Sequence, residues 1–127
     1  MCAVRILLNI TKSLDTPFMF MNSEFTSALQ FVNQKLREYM MARANTDVYN
    51  ITVSGSIHED FTEFPLLFPL FRKTIGPPES IDSQKMLKIM NAYTLAFFNK
   101  YLKGIDSPLL DGPSPDFPEV IIKTGNQ

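Results

Sequence analysis

The chain has 127 residues, of which 45% are hydrophobic and 20% are charged, a composition typical of one globular domain and not of a disordered or fibrous chain. Its 12 Lys plus Arg residues and 13 Asp plus Glu residues give a net charge of -1, so there is no basic excess with which to bind a nucleic-acid backbone. With a single cysteine and a single histidine, the chain can form neither an internal disulfide nor a Cys/His structural zinc site, which needs four ligands.

The sequence predicts no targeting segment and no membrane span. The apolar opening stretch contains Arg5 and lacks a small-residue cleavage pattern, so no signal peptide is predicted. No apolar run approaches the roughly 20 residues that a transmembrane helix requires. We therefore expect a cytoplasmic chain without a transmembrane segment.

The first half of the chain predicts a strand, a helix and a second strand. Residues 17–22 form a short apolar run entered through Pro17, typical of a strand buried on both faces of a parallel sheet. From residue 23 to about residue 44, apolar residues recur at steps of three and four, which predicts an amphipathic helix capped by Ser23 or Thr26. Residues 48–54 are rich in β-branched and aromatic residues and alternate in polarity, which indicates a strand. A βαβ unit with its right-handed crossover makes the two strands parallel, and the predicted fold class is α/β.

The second half predicts a loop, a helix and a tail. Residues 55–78 contain four prolines and are predicted to be an irregular loop with a short helical turn. Ser80 or Asp82 can cap a long helix over residues 82–103, which Gly104 ends. We predict an α/β segment over residues 15–104, an extended proline-rich tail over residues 105–127 with an edge strand near residues 120–122, and an atypical N-terminal segment over residues 1–14.

His58 is the sole histidine and follows the predicted end of the second strand. Catalytic groups of open α/β sheets collect at the carboxyl ends of the strands, and imidazole, which titrates near neutral pH, is the usual proton carrier for a serine nucleophile. Gly55 permits a sharp exit from the strand. A surface or capping histidine is the alternative interpretation.

The residues around His58 resemble a known family. Residues 17–24, the string Gly-Ser-x-His-x-x-Phe-x-x-Phe at residues 55–64, and the end of the last helix at residues 97–104 are similar to the C-terminal part of platelet-activating-factor acetylhydrolases and related dienelactone-hydrolase-like α/β-hydrolases. The resemblance implies a partial α/β-hydrolase fold. It also implies that His58 is the base of a Ser-Asp-His triad that cleaves short acyl esters of phospholipids without a metal or organic cofactor.

Two parts of that catalytic machinery are missing from the sequence. The five glycines, at positions 55, 76, 104, 112 and 125, never form Gly-x-Ser-x-Gly, the motif that carries the nucleophile. No aspartate stands at the distance before Pro17 at which the resemblance expects the triad acid. We therefore predict that the chain alone lacks esterase activity.

Other residues near the predicted site leave alternatives open. Phe61 and Phe64 begin an apolar stretch, residues 61–71, which either lines an acyl pocket or packs in the core. Ser23 and Glu24 either face the site or belong to the start of a helix, and Glu59 and Asp60 either orient the imidazole or point elsewhere.

Two classes of function follow. In the first, the chain is the C-terminal segment of a serine ester hydrolase, supplying His58 and, in Phe61 and Phe64, part of the substrate site. In the second, it is a non-catalytic binding module that uses the apolar stretch at residues 61–71 and an exposed edge of the strand at residues 17–22, through which it can also self-associate.

Overall fold

The computed structural model describes residues 15–25, 30–75, 77 and 79–125. The predicted N-terminal segment, residues 1–14, and the proposed cap at Thr26 lie outside these residues. Within the described part of the chain, no helix is both long enough and apolar enough to cross a membrane.

A three-stranded sheet organises the described residues. Strand β1 (Phe18–Phe25) lies parallel to β2 (Val48–Ile57), and β3 (Val120–Gly125) pairs antiparallel with the other edge of β2. The predicted parallel pair and the predicted strand near residues 120–122 are therefore confirmed. The division of the chain at residues 104 and 105 stays a prediction.

In the part of the chain that the structure describes, four α-helices and two 3₁₀ turns connect and cover the strands. Helix α1 (Gln30–Ala42) joins β1 to β2. A 3₁₀ turn (His58–Phe61) and two short helices, α2 (Phe64–Leu67) and α3 (Pro69–Ile75), follow β2. The long helix α4 (Ser83–Lys103) and a 3₁₀ turn (Pro108–Leu110) lead to β3. The mixed sheet with its helices is an α/β arrangement, the predicted fold class.

The predicted start of the first helix is wrong. Residues 23–25 belong to β1, where Ser23 lies opposite Val53 and Phe25 lies opposite Ile57. Their helical spacing is outweighed by backbone pairing with β2, because tertiary context overrides local propensity. Ser23 is therefore a buried strand residue and not a helix cap.

The region predicted as an irregular loop, residues 55–78, is also more ordered than expected. Strand β2 continues to Ile57, and the turn and helices α2 and α3 occupy most of the remainder. Pro65 lies in the first turn of α2 and Pro69 begins α3. At these positions a proline breaks no helical hydrogen bond, and its fixed φ suits the first turn of a helix.

The hydrophobic core lies between β2 and α4. Alternate residues of β2 point at the helix, and residues of α4 spaced three or four apart meet them. The buried core consists of Tyr49, Ile51, Val53, Met86, Ile89, Tyr93, Ala96, Leu110 and Val120. Helix α1 lies over the opposite face of the sheet, where Asn50 and Thr52 line a polar cleft. Because the core holds β2 against α4, it fixes the position of the C-terminal end of β2.

A polar network joins the start of β2 to the last turns of α4. Lys100 donates to the Tyr49 hydroxyl at 3.0 Å, the two tyrosine hydroxyls of Tyr49 and Tyr101 lie 2.9 Å apart, and Tyr101 donates to Asp47 at 2.6 Å. Burial, with hydrogen bonds to Asp47 and Tyr49, raises the pKa of Tyr101. The hydrogen bond to Tyr49 raises the pKa of Lys100.

Both shifts predict alkaline destabilisation. A group whose pKa is raised in the folded state stabilises the fold fully below its unfolded-state pKa, which is about 10 for both groups. That stabilisation is lost as the pH rises through the higher pKa of the folded state. We expect the free energy of unfolding to fall above about pH 10 by up to about 1.4 kcal/mol per pH unit for each proton involved. Urea unfolding across that range measures it, and Tyr101→Phe should make the fall shallower. An equally steep fall in that variant would contradict the assignment.

Candidate active site

His58 begins the 3₁₀ turn that directly follows β2, and its side chain is exposed. The turn is held by Asp60, whose carboxylate accepts the Ile57 amide N–H at 2.8 Å. This hydrogen bond satisfies the amide immediately before His58 and closes the turn around it. The imidazole therefore lies at the carboxyl edge of the parallel strand pair, at the end of a fixed backbone.

A buried ion pair anchors the same turn. The Arg72 guanidinium of α3 donates from Nε and Nη2 to the two carboxylate oxygens of Asp60, at 2.5 and 2.6 Å. The side chain of Arg72 is 4% exposed and that of Asp60 is 0% exposed. Two parallel hydrogen bonds between a guanidinium and a carboxylate restrict both distance and orientation. Helix α3 is thus fixed to the turn that carries His58.

Gly55 bends β2 just before the turn. Its φ of 74° is in the left-handed region that favours glycine, and the pairing of β1 with β2 becomes irregular at this point. The Gly55 amide donates to the Glu24 carboxylate at 2.6 Å, and its carbonyl accepts the Ile81 amide at 2.9 Å. The bend therefore fixes where Ser56, Ile57 and His58 leave the sheet.

An open depression lies beside His58. It has a volume of about 300 Å³ and lies between the end of β1, helix α1 and the turn. Its lining combines apolar, amide, hydroxyl and cationic side chains: Met21, Asn22, Ser23, Asn33, Arg37, His58 and Phe61. A volume of this size is at the lower end of the range for small-molecule sites. An exposed imidazole beside it has room for a reacting group.

The two phenylalanines predicted as substrate contacts separate in the structure. Phe61 lines the depression with His58. Phe64 is not among the lining residues and contacts the rings of Phe68 and Phe71, with centroids 5.0 and 5.4 Å away. Helices α2 and α3, together with the residue between them, expose an apolar surface formed by Phe64, Leu66, Leu67, Phe68, Leu70 and Phe71. The predicted stretch at residues 61–71 is thus largely a surface and only partly a pocket wall.

The acidic neighbours also have defined positions. Glu24 bonds to the Gly55 backbone, Glu59 is exposed, and Asp60 turns inward onto Arg72. Ser23 is buried and lines the depression. Arg72 itself was not predicted as a site residue. The signal that could have indicated it is weak: it is the first basic residue after His58.

The model of one protein family, platelet-activating factor acetylhydrolase, isoform II, matches residues 6–107. The chain belongs to this family. Among curated relatives, platelet-activating factor acetylhydrolase of Gallus gallus is 28% identical over 110 residues, 82% of this chain and 25% of its own length. The protein of that name from Cavia porcellus is 26% identical over 127 residues, 94% of this chain and 28% of its own length. This member of the acetylhydrolase family therefore spans about a quarter of the length of the curated relatives it matches.

A solved structure agrees in fold. The ferulic acid esterase from Streptomyces cinnamoneus superposes with a TM-score of 0.72 at 24% identity, over 87% of this chain and 34% of the esterase. The predicted partial α/β-hydrolase fold is confirmed by this superposition, and the predicted family is confirmed by the family match over residues 6–107. The chain belongs to an ester-hydrolase-like family.

Proposed function

We propose that this chain is the part of a serine carboxylic-ester hydrolase that supplies the catalytic histidine, His58. One observation carries the proposal: the sole histidine is exposed, directly follows a strand of a parallel pair, and borders an open depression. This is the location in which α/β enzymes keep groups that act on a ligand. Membership of the acetylhydrolase family supports the same role.

In the proposed reaction, His58 carries protons and forms no bond to the substrate. It removes the proton of a serine hydroxyl as the serine oxygen attacks the ester carbonyl, and then returns that proton to the departing alcohol. In the second half it takes a proton from water, which attacks the acyl-enzyme, and returns it to the serine oxygen. The 127 residues contain no Gly-x-Ser-x-Gly motif and no aspartate where the resemblance expects the triad acid, so the proposal takes both groups from a part of the hydrolase outside them.

For the substrate, we propose a short-chain ester of a phospholipid. The relatives' name denotes hydrolysis of an acetyl group from platelet-activating factor. Phe61, in the depression with His58, is the proposed contact for the acyl chain. Phe64 belongs to the exposed apolar surface of α2 and α3, which in this proposal contacts the lipid part of the substrate. No metal or organic cofactor enters the proposed mechanism.

A second candidate, a non-catalytic binding module, is favoured by the edge of β1. Within the described residues β1 pairs with β2 alone, so its other edge has backbone groups that can pair with another strand. Together with the apolar surface of α2 and α3, this edge would bind a partner chain or a second copy of this chain.

One set of measurements separates the two candidates. We define the chimera as Cavia porcellus platelet-activating factor acetylhydrolase in which this chain replaces the aligned segment. The purified chain alone should not hydrolyse p-nitrophenyl acetate or a 2-acetyl phospholipid, whereas the chimera should hydrolyse both.

Other outcomes would change the assignment. A chimera that folds but is inactive, together with self-association of the chain in analytical ultracentrifugation, would favour the binding module. His58-dependent turnover by the chain alone would contradict the prediction that the nucleophile lies outside it, and a monomeric chain would count against the binding module.

A further inference from the structure

The buried ion pair between Asp60 and Arg72 belongs to no step of the proposed reaction, yet it encloses the turn that begins with His58. The Asp60 carboxylate accepts three hydrogen bonds, one from the Ile57 amide and two from Arg72. Burying both charges is costly unless they are paired and hydrogen-bonded. Such an arrangement is a weak source of net stability, but its two parallel hydrogen bonds restrict the distance and orientation of the two side chains.

The Asp60 carboxylate restrains the backbone on both sides of His58. Ile57 precedes the histidine and Asp60 follows it by two residues, so a single carboxylate fixes the backbone before and after the imidazole. Arg72 holds the carboxylate from α3, 12 residues further along the chain. His58 itself is exposed, so the backbone that carries it determines where the imidazole can reach.

We propose that Asp60 and Arg72 form a positioning pair that holds His58 at the angle needed for proton transfer, an inference that rests on the proposed function. Proton transfer requires donor and acceptor at hydrogen-bond distance, and a displacement of about 1 Å can lower a catalytic rate about 100-fold. Neither side chain contacts the substrate. The pair acts only through the turn.

The first test needs no catalysis, because His58 is the sole histidine and gives the sole imidazole signals in an NMR spectrum of the full chain. The variant Asp60→Asn with Arg72→Gln removes both charges and leaves no single buried ion. We expect hydrogen exchange of the Ile57 amide to become at least about tenfold faster and the imidazole signals to broaden or multiply.

Two controls accompany this measurement. The amide of Ile51, in the core, should keep its protection against hydrogen exchange. Asp47→Asn, at the opposite end of β2, is the matched control and should leave the imidazole signals unchanged.

A second variant covers the case in which the double substitution prevents folding. Arg72→Lys keeps the charge but loses the two-pronged contact, and we expect an intermediate increase of exchange at Ile57. Unchanged Ile57 exchange and a single sharp imidazole signal in a folded variant would overturn the proposal. Equal changes in the Asp47→Asn control would overturn it as well.

The second test measures kinetics in the chimera. Removing the pair should lower kcat about 10- to 100-fold while KM changes less than about twofold. In a chimera that already carries His58→Asn, removing the pair should have no further effect, because the pair acts through His58. A loss of equal size in both backgrounds would assign the pair a merely structural role. Full activity of His58→Asn would refute the proposed function instead, while the exchange measurements would still test the positioning.

Discussion

Replacing His58 by Asn in the chimera is expected to lower kcat for ester hydrolysis about 10⁴-fold. Asparagine is similar to histidine in size and polarity but cannot accept and return a proton near neutral pH. The serine nucleophile would then have no base. Because substrate binding does not use the proton transfer, KM should change by much less than kcat. Steady-state kinetics with p-nitrophenyl acetate measures both constants.

The matched control for this substitution is Glu59→Gln. Glu59 is the next residue of the same turn and is exposed, and it does not line the depression. Its substitution should leave kcat within about twofold of the parent, as for most surface changes. Should His58→Asn keep more than a tenth of the parent kcat while the protein remains folded, His58 would not be the base.

The elements that the sequence predicted well are those whose signals are local. Helix α4 spans Ser83–Lys103, close to the predicted residues 82–103, because its ends are set by neighbouring residues. The Asp82 carboxylate accepts the Lys85 amide at 3.0 Å, and Gly104 ends the helix with a φ of 68°. Strand β2 was equally clear, since its alternating residues face one core.

The end of β1 could not be predicted in this way. Residues 23–25 have helical spacing, but the backbone of Ser23 and Phe25 pairs with β2 across an irregular register. A register of this kind depends on the partner strand and on the bend at Gly55, which the spacing of apolar residues does not encode. The helix consequently begins later than its periodicity indicates.

The position of His58 directly after a strand was predictable from the sequence, but the groups around it were not. Arg72 lies 12 residues beyond Asp60, and only the path through α2 and α3 brings the two charges together. Arg37 of α1 lines the same depression although 20 residues and a strand separate it from His58. Contacts between elements depend on how those elements pack, for which a single sequence has no periodic signal.

Gly55→Ala is expected to be the most destabilising of three glycine substitutions, lowering the free energy of unfolding by about 3 kcal/mol. A φ of 74° costs an alanine about 1 to 2 kcal/mol. The added Cβ would also lie 2.9 Å from the Glu79 carbonyl oxygen and 3.0 Å from the Ile81 amide nitrogen. Both are backbone atoms, so a segment of chain and not a flexible side chain would have to move. Urea unfolding of the purified chain measures the loss.

The chain offers two matched controls that separate the contributions. Gly104 has a φ of 68° but open space where its Cβ would be, so Gly104→Ala should cost only the conformational part, about 1 kcal/mol. Gly112 has neither a positive φ nor a close neighbour, and Gly112→Ala should change stability by less than about 0.5 kcal/mol. Equal losses at Gly55 and Gly104 would mean that the backbone around Glu79 and Ile81 can move away at little cost. The bend at Gly55 would then be too soft to fix the point at which His58 leaves the sheet.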